Sequence, residues 1–413
     1  MRIAYTRTTG VGNVRPYLQC LGDLFERHGV TAKLFFISSE RSSQDFPGEV
    51  QRLDPGIRAA ELAEYLRAWR ADGLVSLSVP DDGALRDALV GDILDTHEVP
   101  SIVHSAHATK VLANKWETRL LLESFGLPVA PGILVDGQAI SEENLLSTVY
   151  ADFIVLSGAG LGYPLLTKPL WDSLGYGIAF HHDESSLSEY FASRRGGNVV
   201  LEKFIRGDLY SIEIVGKDGR YVFQPLLWKG LTEAVRSLYY TEVRHSLADH
   251  RAIAALDPMK ERLIDLCRHL GINGVVEVEM IFDGRDFHVI EINPRVSGTT
   301  VLSIAASGIN TFEALTKMLL GIWPEYASSV DRDRRTDRFS VQFPHQGIKP
   351  GLDGFEFELV QSTSFQNAGS TYHSATVSGP KQALTRLGDG IRNHFHITAE
   401  TECRIRRIES SSR

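Results

Sequence analysis

Short apolar runs alternate with amphipathic stretches along the first hundred residues. Residues 2–5 and 32–37 are β-rich, and residues 17–28 set Leu18, Leu21, Leu24 and Phe25 at helical spacing. Residues 57–70 are amphipathic, residues 73–79 are apolar and β-like, and Ile102-Val103 is a short strand. Strands alternating with helices predict a small doubly wound α/β unit over residues 1–108. Its first loop holds Gly10-Val11-Gly12 without a third glycine. A turn between strand and helix is therefore a better reading than a dinucleotide site.

The pattern then changes. A helix over 114–125 ends at Gly126, and Pro128 blocks its continuation. Strands are expected at 133–135, 165–168, 178–180 and 199–205, with a glycine-containing loop at 172–177. A strand over 209–215 turns at Lys217-Asp218-Gly219 into 221–226, and a helix over 258–270 has Gly271 as its cap. Residues 275–282 and 287–292 form the clearest hairpin, followed by a helix over 311–320. Residues 331–338 are a charge run read as a linker or exposed turn. Beyond it, apolar stretches at 355–360 and 372–377 and a helix over 381–394 predict a small α+β closing unit.

The hairpin carries the chemistry. Val275-Val276-Glu277-Val278-Glu279-Met280-Ile281-Phe282 alternates apolar and acidic residues before the turn signal Asp283-Gly284. If residues 284–286 close the turn, Asp283 pairs with Phe287 and Glu279 falls opposite Glu291. Asn293, two residues on, shares the face of Glu291. Facing Cβ atoms lie ~5 Å apart, and two carboxylates there repel by ~3 kcal/mol at an effective dielectric of 20. A divalent cation removes that cost, and two carboxylates plus an amide oxygen suit Mg²⁺ or Mn²⁺. A solvated polar strand face is the competing reading. Glu277 lies on the same face, as a third ligand or as an exposed residue.

Mg²⁺ leaves positions open for phosphates, and phosphates need cations and backbone donors. Lys115 opens a helix, and Lys168 ends the apolar run Leu165-Leu166-Thr167. Ser173, Gly175 and Gly177 offer a loop whose N–H groups can cover phosphates, although it lacks the ending of a P-loop. Residues Glu202, Lys203, Phe204 and Ile205 pass from a strand into a connector that can present backbone groups to an adenine edge.

Composition narrows the class. Apolar residues are 43% and charged residues 23% of 413, which suits a globular protein with several cores. The net charge of −9 argues against a nucleic-acid partner. Cys20, Cys267 and Cys403 lie far apart without metal spacing, so reduced thiols are expected. No secretory signal is read at the N-terminus, and no apolar run approaches the ~18 residues that span a bilayer. The expectation is a soluble, cytoplasmic protein with no membrane partner.

In order, these segments resemble the ATP-grasp superfamily: Asn114-Lys115, the run from Tyr163 to Pro169, the loop to Gly177, Glu202 to Gly207, Glu279, and Glu291-Ile292-Asn293-Pro294-Arg295. The resemblance covers residues 114 to about 320, and the segment from Glu291 to Arg295 is its specific part. It implies ATP held between two α+β lobes, residues 109–206 and 207–330, with residues 331–413 as a further α+β subdomain. Lys115 and Lys168 would contact phosphates under the 173–177 loop, and residues 202–205 would hold adenine. Glu279, Glu291 and Asn293 would bind Mg²⁺. Arg295 would steady a carboxylate or a tetrahedral intermediate. Where many relatives carry a ribose-binding glutamate this chain has Leu209, so Asp208 is the candidate for ribose.

The implied reaction is attack of a carboxylate on the γ-phosphate, followed by capture of the acyl phosphate by an amine. Chain length and a single grasp unit look most like stand-alone carboxylate–amine ligases, including L-amino-acid ligases that make dipeptides. The expected partners are a small carboxylic acid or amino acid and an amine acceptor, and a homodimer is a compatible assembly. Alternatives are a carboxylase or purine-pathway ligase using bicarbonate or formate, and a nucleotide-binding regulator without turnover. Trp228, Lys229, Glu233, Arg236, Arg244 and His245 are candidates for a substrate pocket or an exposed loop.

Overall fold

The computed structural model describes residues 1–39, 45–141, 145–171, 177–193, 196–232, 242–350, 354–367 and 370–411. The N-terminal unit is a five-stranded parallel sheet of β1 (Arg2–Arg7), β2 (Thr31–Ile37), β3 (Glu49–Leu53), β4 (Gly73–Ser76) and β5 (Ser101–Ile102). Their order is β3-β2-β1-β4-β5, so the chain winds outward in both directions from β1, as the alternating pattern predicts. The strand β3 and the helix Asp81–Asp95 are additions to the elements read from the sequence.

The first lobe is an antiparallel sheet in the order β6-β9-β7-β8, from β6 (Gly132–Val135), β7 (Leu165–Pro169), β8 (Ala179–His181) and β9 (Val199–Lys203). Strand alternation gives it two faces. Leu165, Val199 and Leu201 pack with Ile154, Leu187 and Phe191 of the covering helices. Leu166, Lys168, Val200 and Glu202 occupy the other face.

The second lobe is built on β10 (Asp208–Lys217), β11 (Arg220–Phe223), β12 (Leu227–Leu231), β13 (Arg244–His245), β14 (Gly274–Phe282) and β15 (Phe287–Asn293). Residues 331–413 do not form a sheet of their own beside it. Instead β16 (Arg338–His345), β18 (Glu358–Asn367) and β19 (Ser370–Pro380) extend it, in the order β15-β14-β10-β12-β13-β16-β19-β18. Only the pair β17 (Gly347–Ile348) and β20 (Phe395–His396) stands apart. The expected linker at 331–338 is partly helical, because the helix Trp323–Asp333 runs into it.

The helix expected at Pro258 begins eight residues earlier, at His250, where the Asp249 carboxylate accepts from the Arg251 N–H at 2.7 Å. Proline inside a helix costs about 3 kcal/mol. The continuous apolar face of Ala252, Leu256, Met259, Leu263 and Leu266 is buried against β10 and β14 and offsets that cost.

The N-terminal unit and the second lobe share one core. Ile3 and Tyr5 of β1 pack with Val275 of β14 and with Phe312 and Leu315 of the helix Thr311–Leu319. His104 seals the seam: its Nε2–H donates to the Val275 carbonyl at 2.9 Å, and its Nδ1 accepts from the Asn273 N–H at 3.1 Å. Burial pushes its pKa down to about 4, so the ring is neutral.

Candidate active site

Alternation along β14 sends Val276, Val278 and Met280 into the core and leaves Glu277 and Glu279 on the opposite face. On β15, Glu291 stands opposite Glu279, and Asn293 stands opposite Glu277. The Glu279–Glu291 pairing is the expected one, but it arises differently. Phe282 rather than Asp283 pairs with Phe287, so four residues close the turn. The Asp283 carboxylate accepts from the N–H groups of Arg285 and Asp286 and fixes that wider loop. A bulge at Ile290 then restores the register, since Met280 pairs with Val289 and Glu279 with Glu291.

Glu277 is neither exposed nor solvated. It is 2% exposed and accepts hydrogen bonds from Thr299 Oγ1 at 2.7 Å and Asn293 Nδ2 at 3.3 Å. Asn293 Nδ2 also donates to Glu279 at 3.2 Å. Lys229 supplies the counter-charge, with Nζ 2.7 Å from Glu279 Oε1 and 3.4 Å from Glu277 Oε1. Its reach comes from an irregularity of β12. Leu209 pairs with Gly230 and Tyr210 with Trp228, so Lys229 is the extra residue, and Gly230 takes the required φ of 126°.

One further acid belongs to this face and was missed. Glu213 of β10 pairs with Glu277 across the ladder and is 1% exposed. Ser297 and Thr300 both donate to its Oε1, while its Oε2 has no hydrogen-bond partner. Burial pushes its pKa up to about 8, so it is mostly protonated at neutral pH. In sequence Ile212-Glu213-Ile214 reads as an ordinary outward-facing acid, and only the pairing with β14 reveals it.

The basic residues converge from three elements. Asn114 caps the helix Lys115–Ser124 by accepting from the N–H groups of Trp116 and Glu117. That start aims Lys115 at the hairpin, its Nζ 3.3 Å from Glu291 Oε2. Lys168 Nζ lies 2.5 Å from Glu202 Oε1, across the β7–β9 ladder. Lys115, Lys168 and Glu202 line one narrow cleft together with Ile290. Burial opposes ionisation of Glu291, but Lys115, Lys168, Lys229 and Arg295 outweigh it and hold its pKa below the usual carboxylate range. Glu279 is shifted the other way, by burial and by the neighbouring Glu277 and Glu291 against the pull of Lys229.

Arg295 is largely buried, with 13% of its side chain exposed. Its Nε donates to Asp81 of the N-terminal unit at 2.6 Å, and its Nη2 donates to Asn293 Oδ1 at 3.0 Å. It therefore ties the start of the helix Asp81–Asp95 to the acidic face.

Other candidates fall elsewhere. Asp208 has the strand parity of Tyr210, on the face opposite Glu213 and Glu279, and accepts from Trp228 Nε1 at 2.7 Å. That placement removes it as a ribose ligand beside the carboxylates. The N–H groups of Lys203 and Phe204 donate to the carbonyls of Pro131 and Pro164, so neither donates to adenine. Lys203 is exposed, Phe204 packs edge-on against Phe180, and Ile205 follows in the connector. Gly177 adopts φ 80° at the end of its loop, while Ser173 and Gly175 lie outside the described residues, as do Glu233 and Arg236. Arg244 is buried in β13, and His245 stacks on Trp228.

Among the described residues, no three His, Cys, Asp or Glu side chains form a metal cluster by themselves. The donor set here is two facing carboxylates, with the Asn293 amide oxygen beside them held by Arg295 and its nitrogen turned to Glu279, and a divalent cation would relieve the carboxylate repulsion that helps shift Glu279. These residues fit Mg²⁺ or Mn²⁺ with remaining positions open to phosphates. Among the described residues, no helix is long and apolar enough to cross a membrane.

Lysine and carboxylate thus face each other between the helix at Lys115 and the hairpin at Glu291, an arrangement suited to a metal–phosphate complex. Residues 112–299 match the ATP-grasp domain, and the chain is an ATP-dependent ligase carrying that domain, with ATP and Mg²⁺ as cofactors. Over 301 residues it is 24% identical to a carbamoyl-phosphate synthase of Methanobrevibacter smithii, covering 71% of this chain and 76% of that protein. Its fold is similar to an L-amino acid ligase from Bacillus licheniformis, with a TM-score of 0.66, 18% identity and coverage of 96% and 98% of the two chains. It is also similar to the biotin carboxylase domain of Hydrogenobacter thermophilus 2-oxoglutarate carboxylase, solved with MgADP and bicarbonate. There the TM-score is 0.69 with 14% identity, covering 99% of this chain and 93% of that one.

Proposed function

We propose that this chain is a carboxylate–amine ligase that forms an amide or peptide bond through an acyl phosphate, with an amino acid among its substrates. The observation that carries the reading is the contact of Lys115 with Glu291 and of Lys229 with Glu279, beside Asn293 and Arg295, with Lys168 on Glu202 lining the same cleft as Lys115. Phosphoryl transfer needs alignment and charge neutralisation more than covalent chemistry. Glu279, Glu291 and Asn293 would hold Mg²⁺, which when bound neutralises the phosphate oxygens. Lys115 and Lys168 orient the triphosphate across the cleft. A substrate carboxylate oxygen then attacks the γ-phosphorus, and the bond to the β-phosphate bridging oxygen breaks to release ADP. The amine attacks the acyl carbon, the carbon–oxygen bond to phosphate breaks, and the amine's proton passes to solvent. Arg295, held by Asp81, would steady negative charge on the acyl oxygen.

The likeness in fold to the L-amino acid ligase supports an amino-acid substrate. The test is phosphate release from Mg·ATP with pairs drawn from the proteinogenic amino acids, followed by product mass. Release that needs two amino acids, with a product lighter than their sum by one water, is the expected result. Release that needs bicarbonate instead would replace this reading with a carboxylase, and no release with any carboxylate–amine pair would favour a regulator.

A further inference from the structure

The second-lobe sheet has another face. Behind β10 and β12, between the helices His250–His269 and Ala399–Ser411, lies a cavity of about 1650 Å³. It is separated from the carboxylates by the sheet itself. Tyr210, Ile212 and Trp228 line it, whereas Ser211, Glu213 and Lys229 project to the other side.

Its wall combines a stacking platform with positive charge. Trp228 and His245 stack with ring centroids 4.8 Å apart and an interplanar angle of 12°. Leu226 and Leu256 add apolar surface at the base. Six Lys or Arg residues line the cavity against four Asp or Glu, a net positive lining in a chain whose net charge is −9. The four acids are engaged, Asp208 by Trp228, Asp249 by Arg251, and both Glu242 and Glu400 by Arg404, while of the six cations Arg404 is taken by those acids and Lys260 by Asp257. Arg220 and Lys381 are exposed at its edge.

We propose that this cavity is a second ligand site, distinct from the nucleotide cleft, that takes a small organic anion with a flat apolar body. The body lies against Trp228 and the apolar base, and the anionic group meets the basic edge. The cavity has room for such a ligand, since it is larger than the roughly 300–1,000 Å³ of ordinary small-molecule sites. The proposal is independent of the ligase reading, since the sheet places this site away from the reacting groups.

The test uses the full chain and 1-anilinonaphthalene-8-sulfonate, an aromatic anion whose fluorescence reports binding. The expected result is saturable binding of one dye per chain that Mg·ATP does not displace. Arg220→Glu combined with Lys381→Glu, both exposed positions, should weaken it at least fivefold. Unchanged thermal unfolding of the double variant shows that its fold is intact. Three results would each overturn the proposal: no saturable site, a change smaller than fivefold, or displacement of the dye by Mg·ATP.

Discussion

Removing Lys229 tests whether the acidic face is held together by an internal cation whose work a metal can share. The Nζ sits 2.7 Å from Glu279 Oε1 and 3.4 Å from Glu277 Oε1, and its side chain is only 8% exposed. At an effective dielectric of 20 these separations correspond to attractions of about 6 and 5 kcal/mol before desolvation. Breaking one partner out of a buried ion pair costs about 3–5 kcal/mol, because the remaining charge is left uncompensated. Lys229→Met keeps the length and the apolar stem, so the loss is mainly electrostatic. The variant is expected to lose about 3 kcal/mol of stability in metal-free buffer, part of which returns as Glu279 takes up a proton. Millimolar Mg²⁺ should restore at least half, because it binds the folded hairpin and not the unfolded chain. The assay is urea unfolding of both proteins, with Mg²⁺ and with EDTA. A deficit under about 1 kcal/mol, or the same deficit in both buffers, would refute the reasoning.

Three further outcomes follow from the geometry. Glu291→Gln should abolish Mg²⁺-dependent turnover while leaving the fold intact, since it removes a charge that faces Glu279 and Lys115; full activity would end the metal assignment. His104 and His245 are both held neutral by burial, with pKa values near 4. Folded and unfolded chains are alike above the ordinary histidine value of about 6.5, and below it only the unfolded chain takes up these protons. Stability is therefore full above pH 6.5 and should fall by about 3 kcal/mol per histidine as pH drops to 4, and a flat denaturation profile across that window would contradict it. Trp228→Ala removes the stack on His245 and the bond to Asp208, loosening the bulge that aims Lys229. KM for Mg·ATP should rise about fivefold, roughly 1 kcal/mol, and steady-state kinetics would show an unchanged KM if Trp228 and Lys229 act independently.

The hairpin shows what a strand pattern can and cannot convey. Alternation identified the face that Glu279 and Glu291 share, because a period of two is a property of the chain alone. The turn length was misread, and the bulge at Ile290 was invisible. Each shifts the register by one residue in opposite directions, so the facing pair came out right through two compensating errors. Asp208 lacked such compensation. Its place one residue before Leu209 made it a natural substitute in sequence, yet one residue along a strand reverses the side-chain direction. It ends behind the sheet, held by Trp228.

What remained hidden depended on contacts between distant strands. Nothing local distinguishes Glu213 from a surface acid, since its burial is set by Glu277 across the ladder and by Ser297 and Thr300 from another loop. Lys229 joins the acidic face only because β12 carries an extra residue against β10. The same irregularity sends Trp228 the other way, into the cavity behind the sheet. Adjacent residues thus serve opposite faces of one sheet. The bulge sets both directions at once, turning Trp228 toward the cavity and Lys229 toward Glu277 and Glu279.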